Sequence, residues 1–360
     1  MSRSLQIVSP GALSLIQDGG AIRSRALGVP VAGCLDRTAL ILTNALLGNP
    51  ETVAVIEVRL TCPTLRASGG PVRIALSGTL CGHILAADDP ENRREVRPWT
   101  AFTLSDGETL KLAAPERGGV GVIAVDGGVA VPEVLGSRST QIKAGFGGFN
   151  GRPLQAGDAL PLLPLTEELP RQSLSLPEGF DLGDGPIRVV AGPQEEYFTA
   201  EAYQTLTSTP FTVSREADRM GFRLEGTPLK HDPAKGSDII SDGIAPGAMQ
   251  VPGSGLPIIL MADAQTTGGY PKIATVISAD LPRLANRVPG DSITFTLVTV
   301  EEAERAARAL RTRLDAAIAT IAPERRPGEI DLDALYSTNL VDGMVDMRLA
   351  DHFPGHLYDE

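Results

Sequence analysis

Val53-Ala54-Val55-Ile56-Glu57-Val58 is the first of a succession of short apolar runs, followed by Val72 to Leu76, Thr100 to Leu104, Thr109 to Ala113 and Val120 to Val125. Turn residues divide them, as in Ser68-Gly69-Gly70-Pro71 and Ser105-Asp106-Gly107. This spacing predicts a β-barrel or sandwich rather than a parallel βαβ sheet. Upstream, Leu5 to Val8 and Leu13 to Gln17 read as further strands, with Asp18-Gly19-Gly20 as a turn. Asp36 is placed to cap a helix over Arg37 to Leu47, which Gly48-Asn49-Pro50 then stops.

Downstream, Ala144-Gly145-Phe146-Gly147-Gly148-Phe149-Asn150-Gly151 is too rich in glycine for a stable helix and reads as an ordered loop. It lacks the Gly-x-Gly-x-x-Gly spacing of a dinucleotide site. Gln155 to Leu163 closes the first half. The Pro-, Glu-, Ser- and Gly-rich stretch that follows reads as a linker, set at residues 166–185. The expected domains are therefore a first lobe at 1–165, a second at 186–300, and a helix with a polar tail at 301–360.

The second half repeats the β pattern, with strands at Ile187 to Ala191, Phe211 to Ser214, Arg219 to Leu224 and Ile293 to Val300, and a short helix around Glu195 to Leu206. Val29-Pro30-x-x-Gly33 is echoed by Val251-Pro252-x-x-Gly255, which fits two related β lobes. Ala303, Ala307, Leu310, Leu314, Ala317 and Ile321 then mark the apolar face of a helix. Packing on its own body is the first reading of that face, and docking of a partner the second.

Bulk composition sets limits. The 360 residues carry a net charge of −12, with 39 Gly, 28 Pro and only 4% aromatics. Such a field disfavours nucleic acid and anionic membrane as partners. No apolar run reaches the ~20 residues of a membrane span, and the N-terminus lacks the apolar core of a signal peptide. A cytoplasmic location is expected. Cys34, Cys62 and Cys81 are too scattered for a disulfide framework or a metal site. His352 and His356 flank Pro354-Gly355 and cannot share a helix face, so no metal is expected there. There is no P-loop and no Gly-x-Ser-x-Gly elbow. A biotinyl-lysine context is also missing, so the chain is not expected to carry biotin itself.

The residue types that suit chemistry concentrate in Met261-Ala262-Asp263-Ala264-Gln265-Thr266-Thr267-Gly268-Gly269-Tyr270-Pro271-Lys272-Ile273-Ala274. This stretch reads either as a polar hairpin turn or as a ligand-contacting loop. In the second reading Lys272 and Arg219 are the cations best placed to hold an anion. For Arg219 the alternative is a salt bridge with Glu216 or Asp218.

Seven blocks resemble one family: Gly28-Val29-Pro30, Gly136 to Thr140, Ala144 to Phe149, Gly192-Pro193-Gln194, Ser214 to Gly221, Gln250-Val251-Pro252 and Asp263 to Ala274. The family is that of the C-type component of bacterial 5-oxoprolinase, also called biotin-dependent carboxyltransferase subdomains A and B, allophanate hydrolase subunit 2, and the Kip-type inhibitor antagonist. The resemblance implies a mainly β fold of two cyclophilin-like β-barrel lobes. It implies a companion B-type subunit with subdomains C and D, and an A-type subunit for lactam utilisation. The implied activity is ATP-dependent opening of 5-oxoproline to glutamate by the complex. One alternative is the carboxyltransferase half of a biotin-dependent urea or amide carboxylase, with biotin carried on a partner. Another is a non-catalytic antagonist of an inhibitor protein.

On this basis Asp263, Lys272 and Arg219 are the expected catalytic residues. Gln265, Thr266, Thr267, Gly268, Gly269, Tyr270, Gln250, Asp36 and Asp18 are the expected substrate-binding ones. The chain departs from the family at Gln17-Asp18-Gly19-Gly20-Ala21 and Ala32-Gly33-Cys34-Leu35-Asp36, where an arginine and a serine are replaced.

Overall fold

Short strands of alternating burial dominate the chain and assemble into three large sheets. A computed structural model describes residues 3–324 apart from 90, 115–118, 164–168, 170 and 171; His352, His356 and the rest of the tail lie outside the described residues. The first half supplies β1 (Ser4–Ser9), β2 (Leu13–Gln17), β3 (Val55–Arg59), β4 (Thr64–Ser68), β5 (Val72–Leu76) and β6 (Gly82–Leu85). It continues with β7 (Arg93–Val96), β8 (Thr100–Leu104), β9 (Thr109–Leu112), β10 (Val120–Val125), β11 (Ala159–Pro161) and β12 (Leu174–Ser175).

These form two antiparallel sheets, ordered β11-β1-β4-β9-β6-β7 and β2-β3-β10-β5-β8-β12. One core lies between them. Leu5, Ile7, Leu65 and Leu110 come from the first sheet, and Ile16, Ile56, Val58, Ile74 and Phe102 from the second. The second sheet is buried on both faces. Successive β3 residues point to opposite sides, so Ile56 and Val58 enter this core while Val55 joins a different cluster shared with the second half. Double burial also explains why every residue of β10 is buried.

Helix α1 (Arg37–Leu46) lies on that outer face. Asp36 caps it by accepting from Ala39 N at 2.9 Å, and Gly48 at φ 69° ends it in the left-handed region.

The second half builds one eight-stranded sheet. The second-half strands, in that sheet or beside it, include β13 (Ile187–Ala191), β14 (Phe211–Val213), β15 (Gly221–Glu225), β16 (Asp242–Gly243), β17 (Ala248–Gln250), β18 (Ile258–Leu260), β19 (Thr267–Gly268) and β20 (Lys272–Val276). The order is β14-β15-β18-β17-β20-β13, with β16 and β19 pairing separately as a two-stranded ribbon. The expected last strand is broken at Thr294. β21 (Ser292–Ile293) pairs with β14, whereas β22 (Phe295–Leu297) runs parallel to β13. The strand changes partner, so it cannot stay continuous.

The helix expected from Glu195 divides into a 3-10 turn, Glu195–Tyr197, and α2 (Ala200–Ser208), because the Thr199 hydroxyl caps Ala202 N. After α3 (Leu281–Ala285), Thr299 and Glu302 form a reciprocal capping box that starts α4 (Val300–Ala319). Leu314 of α4 is buried against Leu42 and Leu176, with Leu310, Ala317 and Ile321 packed around them, so this face covers the chain's own body. β23 (Ala322–Pro323) then pairs with β12, returning the chain to the first-half sheet. The fold is mainly β, and through Pro323 it is one compact unit.

Candidate functional site

Glu57 is a carboxylate in a strand buried on both faces, a placement that costs several kcal/mol unless the charge is matched. Arg219, in the loop before β15, matches it. Its Nη1 donates to Glu57 Oε1, its Nη2 to Gly33 O at 2.9 Å, and Nε and Nη2 grip Asp263 in a two-point pair at 2.9 and 2.8 Å. Leu35 N donates to the other Glu57 oxygen at 2.7 Å, which leaves neither oxygen of Glu57 unbonded. The inter-half ion pair is therefore with Glu57; Glu216 pairs with Arg223, and Asp218 accepts from Met220 N and Gly221 N in a tight turn.

Burial pulls the Arg219 guanidinium down, but Glu57 and Asp263 outweigh it and hold it above the ordinary arginine value. Burial raises the Asp263 carboxyl against the opposing pull of Arg219.

Asp263 and Arg219 form one wall of a cleft of about 660 Å³ between the two halves. Segments remote in sequence converge on it: Gly28 and Pro30, Gln141 to Ala144, Arg215 to Met220, and Asp263 with Gln265. Gln141 donates Nε2 to Pro30 O at 3.0 Å, while Gln265 is exposed. Three further cations, Arg59, Lys143 and Arg215, line the cleft and form no ion pair among the described residues. Burial lowers the Arg59 pKa, with Glu57 opposing, and its guanidinium lies 5.8 Å from the Phe222 ring centroid. The cleft thus offers carboxamides, a fixed carboxylate and unpaired positive charge against largely apolar walls.

Lys272 points elsewhere. Its buried Nζ pairs with Asp242 Oδ2 at 3.0 Å, which also accepts from Gln194 Nε2 at 3.1 Å. Gln194 Oε1 in turn accepts from Lys272 N at 3.1 Å. The hydrogen bond from Lys272 holds the Asp242 carboxyl below its ordinary value. Gln250 lies opposite Lys272 in the β17–β20 pairing and donates to Tyr270 O at 3.4 Å. Gly268 lies beneath it, since a Cβ there would stand 2.5 Å from Gln250 Nε2.

Strands β18 and β20 are not hairpin partners, because β17 lies between them. The segment joining them is a crossover loop tied to its neighbours by Thr266 O, Thr267 and Gly269 O, which meet Ile244, Gly243 and Ile239. Of the expected residues on and beside it, Asp263 and Gln265 line the cleft, Lys272 and Gly268 meet Asp242, and the exposed Tyr270 lines a different groove.

Asp18 and Asp36 hold backbone. Asp18 accepts from Gly20 N, Ser137 Oγ, Ser139 Oγ and Arg138 N at 2.6–2.7 Å, pinning the glycine-rich region's approach. Asp36 accepts from Ala39 N and, at 2.7 Å, from Asn286 Nδ2 in the second half. Desolvation pushes its pKa up to about 6.

Residues 27–297 match the model of the carboxyltransferase domain, subdomains A and B. The chain belongs to this family. It is 37% identical to the C-type component of 5-oxoprolinase from Escherichia coli over 306 residues, covering 84% of this chain and 94% of that protein. It is 31% identical to a putative urea carboxylase of Emericella nidulans, of which it spans 24%. Among solved structures, K. lactis urea amidolyase superposes with a TM-score of 0.78 at 25% identity over 91% of this chain and 22% of that one. The crystal structure of TTHA0988 gives 0.71 at 33% identity over 82% of this chain and 55% of that one.

In this carboxyltransferase-domain chain the sequence reading missed Glu57, Arg59, Gln141, Lys143, Arg215 and Asp242. Glu57 had a signal, a lone carboxylate inside an apolar run, and Arg59 follows it on the same strand face. Arg215 lies within the family block Ser214 to Gly221, and Gln141, Lys143 and Asp242 had no signal, since single polar residues outside a periodic run carry no pattern. Cys34 is buried, and burial together with Glu57 and Asp36 raises its thiol pKa well above the ordinary value, so it stays protonated. No described helix is long and apolar enough to cross a membrane.

Proposed function

We propose that this chain is the C-type component of an ATP-dependent 5-oxoprolinase-type complex and that the inter-half cleft receives the lactam. The observation that carries this reading is the pairing, in one cleft, of unpaired cations with amide-matching groups. 5-Oxoproline carries a carboxylate and a cyclic amide. Arg59, Lys143 and Arg215 suit the carboxylate, while Asp263 and Gln265 suit the amide N–H and C=O. Arg219 is a positioning residue here, fixing the Asp263 carboxylate between β3 and the loop.

ATP enters through the complex and activates the amide. Two further proteins are the proposed partners, a B-type component and an A-type component for lactam utilisation. The chemistry is expected to need them. Asp242, Lys272 and Gln194 form a separate polar cluster, proposed as a contact for the partner's side of the reaction.

The test is glutamate release from 5-oxoproline and ATP by the complex co-expressed with its partners. Asp263→Asn is expected to abolish most turnover while the complex still assembles. Wild-type-like turnover in that variant would remove the cleft from the reaction.

The urea carboxylase and urea amidolyase relatives support a second reading, carboxyl transfer from a biotin carrier to an amide. Avidin sensitivity and urea-dependent ATP cleavage, with no response to 5-oxoproline, would favour it.

A further inference from the structure

A second cavity, of about 700 Å³, shares only Val288 with the cleft. It opens at the start of α1 and is walled by Trp99 and Phe180. Thr38 lines it, is 2% exposed, and its Oγ1 has no hydrogen-bond partner among the described residues. A buried hydroxyl left without a partner costs about 1–3 kcal/mol. In a roomy polar cavity a ligand is the natural partner.

The charges around it are of both signs. Arg283 is consumed by Asp280 and by the carbonyls of Gly183, Gly185 and Pro186, and Asp181 and Asp291 accept from their own turns. Five charged groups have no ion-pair partner among the described residues: the carboxylates of Asp36, Asp181, Asp184 and Asp291, and the Arg287 guanidinium. Asp36 is bonded to neutral donors, Ala39 N, the Thr38 backbone and Asn286 Nδ2, and Arg287 is half-buried. Among the described residues the Trp99 indole N–H has no acceptor, and its ring packs against Gly78, where a Cβ would collide with it. Trp99 itself holds φ at 54°, a strained value for a bulky residue.

We propose that this cavity binds a free amino acid, with its ammonium among Asp36, Asp184 and Thr38 Oγ1 and its carboxylate at Arg287 and the Trp99 indole N–H. A purely anionic ligand would face the carboxylates, and a purely cationic one would face Arg287. A zwitterion satisfies both, and the two aromatic rings leave an apolar wall for a side chain. The proposal does not depend on the reaction assigned to the cleft.

The experiment is isothermal titration of the full chain with L-leucine and L-lysine, with sodium acetate and methylammonium chloride as single-charge controls. At least one amino acid is expected to bind, and each control roughly tenfold or more weaker. Thr38→Val and Arg287→Gln are each expected to weaken that amino acid by roughly tenfold, with unchanged thermal unfolding reporting intact folding. The preferred arm tells whether the site takes an apolar or a basic side chain. Absence of binding by both amino acids, or equal binding by wild type and both variants, overturns the proposal. So does loss of binding in Gln265→Ala alone, which would move the amino acid into the cleft. Glutamate release by the assembled complex is measured separately and decides only the cleft.

Discussion

Glu57 and Arg219 stand 162 positions apart in sequence and form a buried ion pair that joins strand β3 to the loop before β15. The same guanidinium holds Asp263, so the contact between the halves and the wall of the cleft are set by one side chain. Arg219→Ala would leave the buried Glu57 and the half-buried Asp263 without their hydrogen-bonded counter-charge, and an expected loss of about 3–5 kcal/mol follows. Arg219→Lys is expected to restore little, because one ammonium cannot reproduce the fork that reaches Glu57, Asp263 and Gly33 together. Urea unfolding midpoints measure both. A loss below about 1 kcal/mol for Arg219→Ala would show the pair to be dispensable.

The cleft cations give a kinetic prediction. Removing one charged hydrogen-bonding partner of a substrate carboxylate is worth about 1.5–3 kcal/mol. Arg59→Ala in the assembled complex is therefore expected to lower kcat/KM for 5-oxoproline by roughly 10- to 100-fold, mostly through KM. A neutral amide lacking the carboxylate should respond much less. An equal loss for both substrates would show that Arg59 does not read the carboxylate.

Asp36 predicts a pH dependence of stability. Its folded pKa is about 6 against an ordinary 3.8. Below the lower value the group is protonated in both folded and unfolded chains. Between the two values only the unfolded chain ionises, so rising pH favours unfolding, and above about 6 the loss is complete. This amounts to about 3 kcal/mol. Relative to Asp36→Asn, which keeps a capping side chain, the wild type should lose stability by that order between pH 4 and pH 7. Chemical denaturation of both proteins at the two pH values measures it, and a constant difference would count against the assignment.

Gly268→Ala probes the second polar cluster. Its new methyl would press on the Gln250 amide and on Ile244 Cδ1, 2.7 Å away. The expected cost is about 1–3 kcal/mol from overpacking, read as a lower thermal midpoint. Gln250→Ala should relieve part of it when combined, since the amide is the obstacle.

Cysteine reactivity is ordered by burial. Cys81 is exposed, the Cys62 thiol is pushed up to about 11, and Cys34 is buried beside two carboxylates. Iodoacetamide followed by peptide mass analysis should label Cys81 first and Cys34 last in the folded protein. Early labelling of Cys34 would contradict its position.

Much of the fold was legible because its signals are local. Short runs such as Val72 to Leu76 and Val120 to Val125 specify strands by residue type and length, and Asp36 and Gly48 bracket α1 by capping chemistry alone. The amphipathic spacing from Ala303 to Ile321 was enough to place α4. Where partners mattered, local signals failed. Nothing near Thr294 announces that β21 and β22 pair with different strands, and nothing near Asp263 announces that β17 separates β18 from β20.

The candidate site divides in the same way. The residues themselves singled out Asp263, Gln265, Arg219 and Lys272, because polar groups crowded between apolar strands are conspicuous along a chain, and the family resemblance added Gln250. Sequence by itself could not tell that Arg219 spends its guanidinium on Glu57 and Asp263, that Lys272 turns to Asp242, or that Arg59, Lys143 and Arg215 meet across a cleft. Those facts depend on which distant segments become neighbours. Charge pairing acts over a few ångströms of space rather than of sequence, so only the tertiary structure decides which charges are spent and which remain for a ligand.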